Sequence, residues 1–362
     1  MTTYYAYVTA LWGGPFSNGA LTIFDVSDPT NPTHVGAITG NNLLAANDII
    51  VVGNYAYVAS FYDNALTIFD ISDPTNPTHV GAITGAGSPN YLDGATSIYV
   101  VGNYAYVTAE FDNALTIFNI SDPTNPTHVG VITGEGSPNY LRYASDVHVV
   151  GDYAYVAAHG DDALTIFDIS DPTSSTHVAA VTGCGSPNYL CSANHLYVSG
   201  NYVHVAAEID KALTIFDISD PTNPTHVGAI TDVGDLRYVY VSGDYVYATS
   251  FEDEALKIFD ISDPTNPTHV GTIAGAGSPN YLHDPSCVYV LGDYAYVTAE
   301  MDNALTIFDI SDPTNPTHVG AITGAGSPNY LEGASSVYVT SPAAPKIAGN
   351  NLEAALRAIG AI

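Results

Sequence analysis

Basic residues are scarce in this chain of 362 residues. It has six lysines and arginines against 37 aspartates and glutamates, and its formal net charge is −31. Proteins bind nucleic acids and anionic membrane surfaces through clustered lysine and arginine. The composition therefore argues against both as partners.

Cysteine and long apolar runs are scarce as well. Three cysteines (Cys184, Cys191 and Cys287) are too few for a disulfide framework, and no apolar run is long enough to span a bilayer. The initial Met-Thr-Thr-Tyr-Tyr lacks the basic and apolar regions of a signal peptide. From these absences we expect a soluble cytoplasmic protein.

One repeated sequence accounts for most of the chain. Ala-Leu-Thr-Ile-Phe-Asp-Ile-Ser-Asp-Pro-Thr-Asn-Pro-Thr-His-Val-Gly recurs almost unchanged seven times, at intervals of 43 to 49 residues. The Asp-Pro steps begin at Asp28, Asp73, Asp122, Asp171, Asp220, Asp263 and Asp312. A fixed period of this length is typical of stacked units that cannot bury their apolar faces alone.

Each unit has the pattern of four short antiparallel strands. In residues 97–134, short runs of apolar, aromatic and β-branched residues are separated by turn sequences, among them Gly102-Asn103 and Asp122-Pro-Thr-Asn-Pro126. No segment inside the repeat has helical spacing. The sequence therefore predicts an all-β protein, a seven-bladed β-propeller of four-stranded blades.

The two ends of the repeat array predict how the ring closes. The chain starts with the second strand of a blade, and a spare first strand, 336–340, follows the seventh copy. We expect this C-terminal strand to pair into the N-terminal blade, which removes the exposed edges of an open ring.

The Leu-Thr-Ile-Phe-Asp-Ile-Ser-Asp-Pro-Thr-Asn-Pro pattern resembles the LVIVD-repeat β-propellers over residues 1–341. The resemblance implies the fold. It implies no single activity, because the family has none in common. Since members are often surface or secreted proteins, it also leaves an extracellular location open.

Residues 342–362 differ from the repeat. A Pro/Ala linker precedes a segment in which Leu352, Leu356 and Ile359 recur at helical spacing. We predict a short amphipathic helix there, which either packs on the propeller or a second subunit, or docks on another protein.

The copies differ most where the loop between blades enters the innermost strand, at the mouth of the central channel. Otherwise uniform columns there contain acids, imidazoles, thiols and a guanidinium. Because ligand sites are commonly placed on variable loops of a rigid scaffold, we expect the functional site at this mouth.

Four of these residues suggest a metal centre. Cys191 and His195 lead into one innermost strand, His283 and Cys287 into another, and thiolate with imidazole suits zinc, with copper as the alternative. Two other interpretations remain open, namely independent structural roles and a cysteine nucleophile with a histidine base.

Further mouth residues have catalytic chemistry. Arg142 and Arg237 suit a carboxylate or phosphate, and His159 with nearby acids suits proton transfer. The acids are Glu110, Asp146, Glu208 and Glu300.

Together these residues predict an enzyme at the channel mouth, a metal-assisted hydrolase or lyase acting on a small anionic substrate. Two alternatives are a non-catalytic interaction scaffold and a carbohydrate-binding propeller that uses the repeated Gly-Ser-Pro-Asn-Tyr-Leu loops.

Overall fold

The computed structural model describes residues 3–13 and 18–340, and all of its regular structure is β-strand. In these two ranges, twenty-eight strands form seven four-stranded antiparallel sheets, one for each blade. The predicted C-terminal helix lies outside the described residues. Within them, no helix has the length and apolar character needed to cross a bilayer.

The four strands of a blade run from the channel to the rim. The innermost strands are β4 (Ala46–Val52), β8 (Ala95–Val101), β12 (Ala144–Val150), β16 (Ala193–Ser199), β20 (Leu236–Ser242), β24 (Pro285–Leu291) and β28 (Ala334–Thr340). The second strands are β1 (Tyr5–Ala10), β5 (Tyr55–Ser60), β9 (Tyr104–Ala109), β13 (Tyr153–Ala158), β17 (Tyr202–Ala207), β21 (Tyr245–Ser250) and β25 (Tyr294–Ala299).

The third and outer strands complete each blade. The third strands are β2 (Ala20–Asp25), β6 (Ala65–Asp70), β10 (Ala114–Asn119), β14 (Ala163–Asp168), β18 (Ala212–Asp217), β22 (Ala255–Asp260) and β26 (Ala304–Asp309). The outer strands are β3 (Thr33–Thr39), β7 (Thr78–Thr84), β11 (Thr127–Thr133), β15 (Thr176–Thr182), β19 (Thr225–Ile230), β23 (Thr268–Ala274) and β27 (Thr317–Thr323).

The ring closes as the sequence predicts. Strand β28 pairs antiparallel with β1, and the first blade has the strand order β28-β1-β2-β3. The register aligns Thr340 with Tyr5 and Ser336 with Thr9. Blade 1 is thus built from both ends of the array, and blades 2 to 7 follow in chain order.

The core consists of apolar layers between neighbouring blades. Leu21 and Ile23 of blade 1 pack with Val58 and Phe69 of blade 2, and all four are fully buried. The phenylalanine of every third strand is likewise 0% exposed. Each copy of Leu-Thr-Ile-Phe therefore serves the interface with a neighbour, which explains why the repeat varies so little.

The Asp-Pro turns are held by their own side chains. Asp28 Oδ1 accepts the Thr30 backbone N–H at 3.0 Å and the Thr30 hydroxyl at 2.6 Å, and the other six copies repeat this arrangement. Their carboxylates are thereby used in the turn. The turn hydrogen bonds therefore explain seven of the 37 acidic residues, and no bound ligand is needed to explain them.

Candidate functional site at the channel mouth

A β-bulge at the start of each innermost strand shapes the channel mouth. In blade 2 the register slips between Ala46 and Asp48, and Asn47 is the additional residue. The same slip occurs in all seven innermost strands. A bulge places two residues opposite one, so both the bulged residue and the one after it can face the channel.

The resulting cavity has a volume of about 390 Å³. Its lining combines the bulged residues, the next residues along the innermost strands, and polar ends of second strands. These are Asn47, Asp48, Thr96, Ser97, Glu110, Ser145, Asp146, His159, Asn194, His195, Glu208, Arg237, Tyr238, Ser286, Glu300, Ser335 and Ser336. Apart from the single Tyr238, every lining residue is polar or charged.

Seven side chains, one from each blade, form a continuous belt at the floor of the cavity, which we call the waist ring, and all of them except Cys287 line the cavity. It consists of Asp48, Ser97, Asp146, His195, Tyr238, Cys287 and Ser336. Asp48 Oδ1 accepts the Ser336 hydroxyl at 3.0 Å, and Ser97 Oγ lies 2.7 Å from Asp146 Oδ1 and 3.1 Å from Asp48 Oδ2. The centroids of the His195 and Tyr238 rings lie 3.6 Å apart, with an angle of 33° between the ring planes.

Two buried carboxyl groups of the waist ring share one hydroxyl donor. The Ser97 hydroxyl has a single proton and lies within hydrogen-bond distance of both Asp146 and Asp48. Burial raises the pKa of Asp48, and the nearby Asp146 adds to this effect. Burial also raises the pKa of Asp146 to about 6. The hydrogen bonds that Asp146 accepts from the Leu196 N–H and Ser97 act in the opposite direction and lower this pKa.

His195 is neutral in this ring. Burial lowers its pKa to about 3, with Asp48 acting weakly in the opposite direction. Its Nδ1 accepts the Val239 backbone N–H at 3.4 Å, so the proton is on Nε2, which lies 3.4 Å from Asp146 Oδ2. The imidazole therefore serves as a hydrogen-bond donor within the floor.

Below the waist ring the channel becomes aromatic. Tyr99, His148, Tyr197, Tyr240, Tyr289 and Tyr338 form a chain of neighbouring rings with centroids 4.5 to 5.0 Å apart. These side chains line a second cavity of about 310 Å³, to which five of the waist-ring residues also contribute. The waist ring therefore separates a polar mouth from an aromatic lower channel.

In blades 6 and 7 the mouth combines an ion pair with a partly buried acid whose pKa is raised. Arg237 Nη1 lies 3.2 Å from Asp284 Oδ1, and its guanidinium lies over the Phe251 ring at 3.9 Å from the centroid. Glu300 lines the same wall. Burial raises the pKa of Glu300 to about 7, and Asp284 raises it further while Arg237 opposes the shift.

The other predicted catalytic residues lie around the same mouth, with one exception. Glu110 and His159 face each other at 3.4 Å, and Glu208 accepts a 2.5 Å hydrogen bond from Asn194 Nδ2. Arg142 does not line the cavity. Its side chain is 49% exposed on the loop between blades, 3.9 Å from Glu135.

The four predicted metal ligands do not meet in one centre. Cys191 forms a disulfide with Cys184, a bridge that the sequence did not predict. His195 and Cys287 lie in the waist ring with Tyr238 between them. His283 is half exposed, 3.7 Å from Glu254. The innermost strands fix the separation of His195 and Cys287, because consecutive positions of the waist ring belong to consecutive blades.

A thiol nucleophile is not supported either. Cys287 is 1% exposed, and burial raises the pKa of its thiol to about 12, so it stays protonated. Cys191 is oxidised. Binding of zinc or copper by this protein stays a prediction.

Three contributors to these sites were missed from the sequence. Asn194, Asp284 and Cys184 were not singled out, although each stands at a position that differs among the copies. The bulge explains the omission of Asn194, because strict alternation along β16 would turn it away from the channel if His195 faces it.

The mouth is bordered by exposed apolar side chains, which we call the crown. Seven large apolar side chains in the described part of the chain are more than a third exposed, and all but Val150 belong to it. The crown consists of Trp12, Tyr62, Phe111, Ile209, Phe251 and Met301, at the ends of second strands or directly after them.

The family model of the LVIVD repeat matches seven segments that together cover most of the chain. The matched residues are 4–39, 45–84, 94–133, 141–182, 191–232, 233–274 and 284–323. The chain belongs to the LVIVD-repeat family. This confirms the resemblance found in the sequence, and the search of curated proteins found no match.

Solved structures with the same architecture are distant in sequence. A Lactobacillus plantarum protein is 13% identical with a TM-score of 0.76, covering 94% of this chain and all of its own. The Pseudomonas aeruginosa periplasmic gluconolactonase is 14% identical (TM-score 0.69), covering 94% of this chain and 99% of its own. A candidate 6-phosphogluconolactonase from Bacteroides fragilis is 16% identical (TM-score 0.73; 94% and 98% covered). Likeness at these identities shows the fold alone.

Proposed function

We propose that this LVIVD-repeat propeller is a hydrolase that opens small hydroxyl-bearing lactones or esters in the mouth cavity. One observation carries the proposal. Glu300, whose pKa is raised to about 7, lines a polar cavity of about 390 Å³ beside the fixed guanidinium of Arg237.

Glu300 has the properties of a general base. A base works best when its pKa is near the working pH, because it is then largely ionised yet still takes up a proton readily. Burial supplies this tuning, and the neighbouring Asp284 strengthens it. Perturbed acids in a cleft are enriched at catalytic sites.

The chemical step uses water, Glu300 and Arg237. The Glu300 carboxylate removes a proton from water while the water oxygen bonds to the ester carbonyl carbon. The oxyanion that forms is stabilised by Arg237. The carbon–oxygen bond to the alkoxide then breaks, the leaving oxygen takes the proton from Glu300, and the new acid ionises.

The lining favours a substrate that is neutral before the reaction. Five carboxyl groups line the cavity, against one arginine. Carboxylates accept hydrogen bonds from hydroxyl groups and repel anions, so a hydroxyl-bearing lactone fits better than the anionic substrate expected from the sequence. The anion is then the product, and the acidic lining assists its release.

The crown indicates what the part of the substrate outside the cavity looks like. Apolar side chains this exposed commonly mark a binding surface. They surround the polar cavity, so we propose that they contact an apolar substituent of the same molecule. The Pseudomonas aeruginosa gluconolactonase, which shares the fold, supports the choice of a lactone as the substrate class.

The test is hydrolysis of glucono-1,5-lactone, with the spontaneous rate subtracted. Glu300→Gln keeps the size of the side chain but removes the base, so kcat/KM should fall about 10²- to 10⁴-fold. In the wild type, kcat/KM should rise with pH through about 7, because only the ionised form of Glu300 accepts a proton.

Glu135→Gln is the matched control. It makes the same chemical change on a side chain that is 68% exposed on a loop outside the cavity lining, and it should leave the rate unchanged. Equal rates for Glu300→Gln and the wild type would refute the role of Glu300. No turnover across a series of lactones and esters would refute the proposed reaction.

A further inference from the structure

A second cluster of reactive groups lies outside the cavity lining. Cys184 and Cys191 lie at either end of the loop between blades 4 and 5, and Asp162 lies in the turn between β13 and β14. Asp162 Oδ2 lies 3.2 Å from Cys184 Sγ. One potential ligand atom from each residue lies within 4.8 Å of the others, the one such grouping found in the described part of the chain.

The scaffold, rather than the disulfide, places the two cysteines side by side. In the preceding loop the same two positions hold Glu135 and Arg142, and these face each other in an ion pair of 3.9 Å. Adjacency at these positions therefore does not depend on a covalent bond. The two thiols would remain neighbours after reduction.

Backbone hydrogen bonds fix the loop in the same way in both copies. Asp210 accepts the Gly185 and Cys191 N–H groups at 2.9 and 2.8 Å through Oδ2. Asp161 accepts Gly136 and Arg142 N–H at 2.9 Å each. The geometry of the cysteine loop is thus a property of the repeat.

Asp162, like the two cysteines, is a residue at which this blade differs from most other copies of the repeat. Blades 2, 3 and 7 have asparagine here, and Asn113 Oδ1 accepts the Tyr143 N–H at 2.9 Å. Asp162 Oδ1 accepts the Ser192 N–H at 2.9 Å, so the structural role is kept. The replacement changes only the other atom, where a carboxylate oxygen instead of an amide nitrogen faces Cys184.

We propose that Cys184, Cys191 and Asp162 form a zinc site when the disulfide is reduced. Two thiolates and a carboxylate are ligands that zinc accepts, and water can complete the tetrahedron because Cys184 is exposed. Reduction by a phosphine or dithiol delivers two electrons to the S–S bond and yields two thiols, which lose their protons on binding zinc. A peroxide takes two electrons from the two thiolates and is itself reduced to water, which restores the disulfide and releases the ion. The site does not depend on the proposed hydrolase activity.

The repeat itself supplies the test variants. The wild type, Cys184→Ala and Asp162→Asn are prepared with a phosphine reductant, loaded with zinc and desalted, and metal is measured by mass spectrometry. Both changes restore residues found in sister blades, and far-ultraviolet circular dichroism confirms folding. Cobalt(II) titration reports thiolate ligands through their charge-transfer absorption.

The reduced wild type should hold about one zinc per chain with thiolate-to-cobalt absorption, whereas the protein oxidised beforehand should hold none. Cys184→Ala should lose the site, and Asp162→Asn should weaken zinc binding about tenfold or more. Cys287→Ser removes the buried third thiol and should leave zinc binding intact. Zinc absent from the reduced wild type, retained by Cys184→Ala or the oxidised protein, or bound equally by Asp162→Asn, would overturn the proposal.

Discussion

Single residues that differ from the repeat supply most of the reactive groups of this protein. His204 shows how one such difference affects the stability of the fold. Six blades have tyrosine at this position of the second strand, and blade 5 has His204. Its side chain is 2% exposed, with Nδ1 3.3 Å from the Tyr197 carbonyl oxygen. Burial lowers its pKa to about 4.

His204 therefore makes stability depend on pH. The unfolded chain binds a proton at this residue below about pH 6.5, whereas the folded chain does so only below about 4. The depressed pKa gives stability that is complete above 6.5 and is lost as pH falls towards 4, by about 1.4 kcal/mol per pH unit.

His204→Tyr should remove this loss. The stability of the variant relative to the wild type should rise by roughly 2–3 kcal/mol between pH 7 and pH 4.5. Urea unfolding at both values measures the change, and the other histidines cancel in the comparison. Tyr247→His is the reciprocal control, because it should introduce a similar acid sensitivity in blade 6. A difference between His204→Tyr and wild type that does not vary with pH would contradict the assignment.

The sequence predicted which residues lie near the mouth, but it did not predict which of their side chains come together. Comparison of the copies located the columns that contain Glu300 and His195, and it placed Arg237 in a segment that enters the channel. It also placed Tyr238 of blade 6 between His195 and Cys287, but it could not show that the closed ring keeps these two side chains apart. The pairing of Cys184 with Cys191 depends on a loop conformation that the spacing alone does not specify.

At the scale of the element, strand β28 joins the fold to the site. It supplies Val337 and Val339 to the core at 2% and 1% exposure, and Ser335 and Ser336 to the cavity lining. The sequence predicted this strand from a missing first strand at one end and a spare one at the other, an argument that needs no side-chain detail.

Removing β28 should therefore destabilise the whole ring. A chain ending at Gly333 loses the buried Val337 and Val339, about 3–6 kcal/mol of apolar burial, and leaves the edge of β1 unpaired. Thermal unfolding should show a markedly lower Tm and aggregation. A chain ending at Thr340 is the control, since it keeps all 28 described strands and should unfold like the full chain. Equal Tm values for the two truncated chains would mean that closure by β28 contributes little.

At the scale of the whole molecule, near-identical repeats explain why the fold was predictable while the function was not. Seven copies agree wherever a side chain serves the layers between blades, so the pattern specifies the propeller. The site exists only where the copies disagree and all seven meet around one axis. Its geometry is therefore a property of the closed ring.

The crown is a feature that only the closed ring creates. Its side chains come from six blades, and aromatic contacts link Trp12 to Tyr62, Tyr62 to Phe61, and Phe61 to Phe111. A ligand with a polar head and an apolar chain would contact cavity and crown together. Octyl β-glucoside should therefore bind at least about tenfold more tightly than methyl β-glucoside, since each buried methylene contributes up to about 0.8 kcal/mol.

Calorimetry below the critical micelle concentration measures this difference. Tyr62→Ser with Phe111→Ser removes two side chains that are 56% and 53% exposed, and should weaken octyl glucoside binding while leaving methyl glucoside unaffected. Among the described residues Val150 is the one large exposed apolar side chain outside the crown, and Val150→Ser should change neither affinity. Equal loss in both variants would show non-specific adsorption of the alkyl chain. A dimer that dissociates only in the crown variant, with unchanged octyl glucoside binding, would instead assign the crown to contact between two copies of the chain.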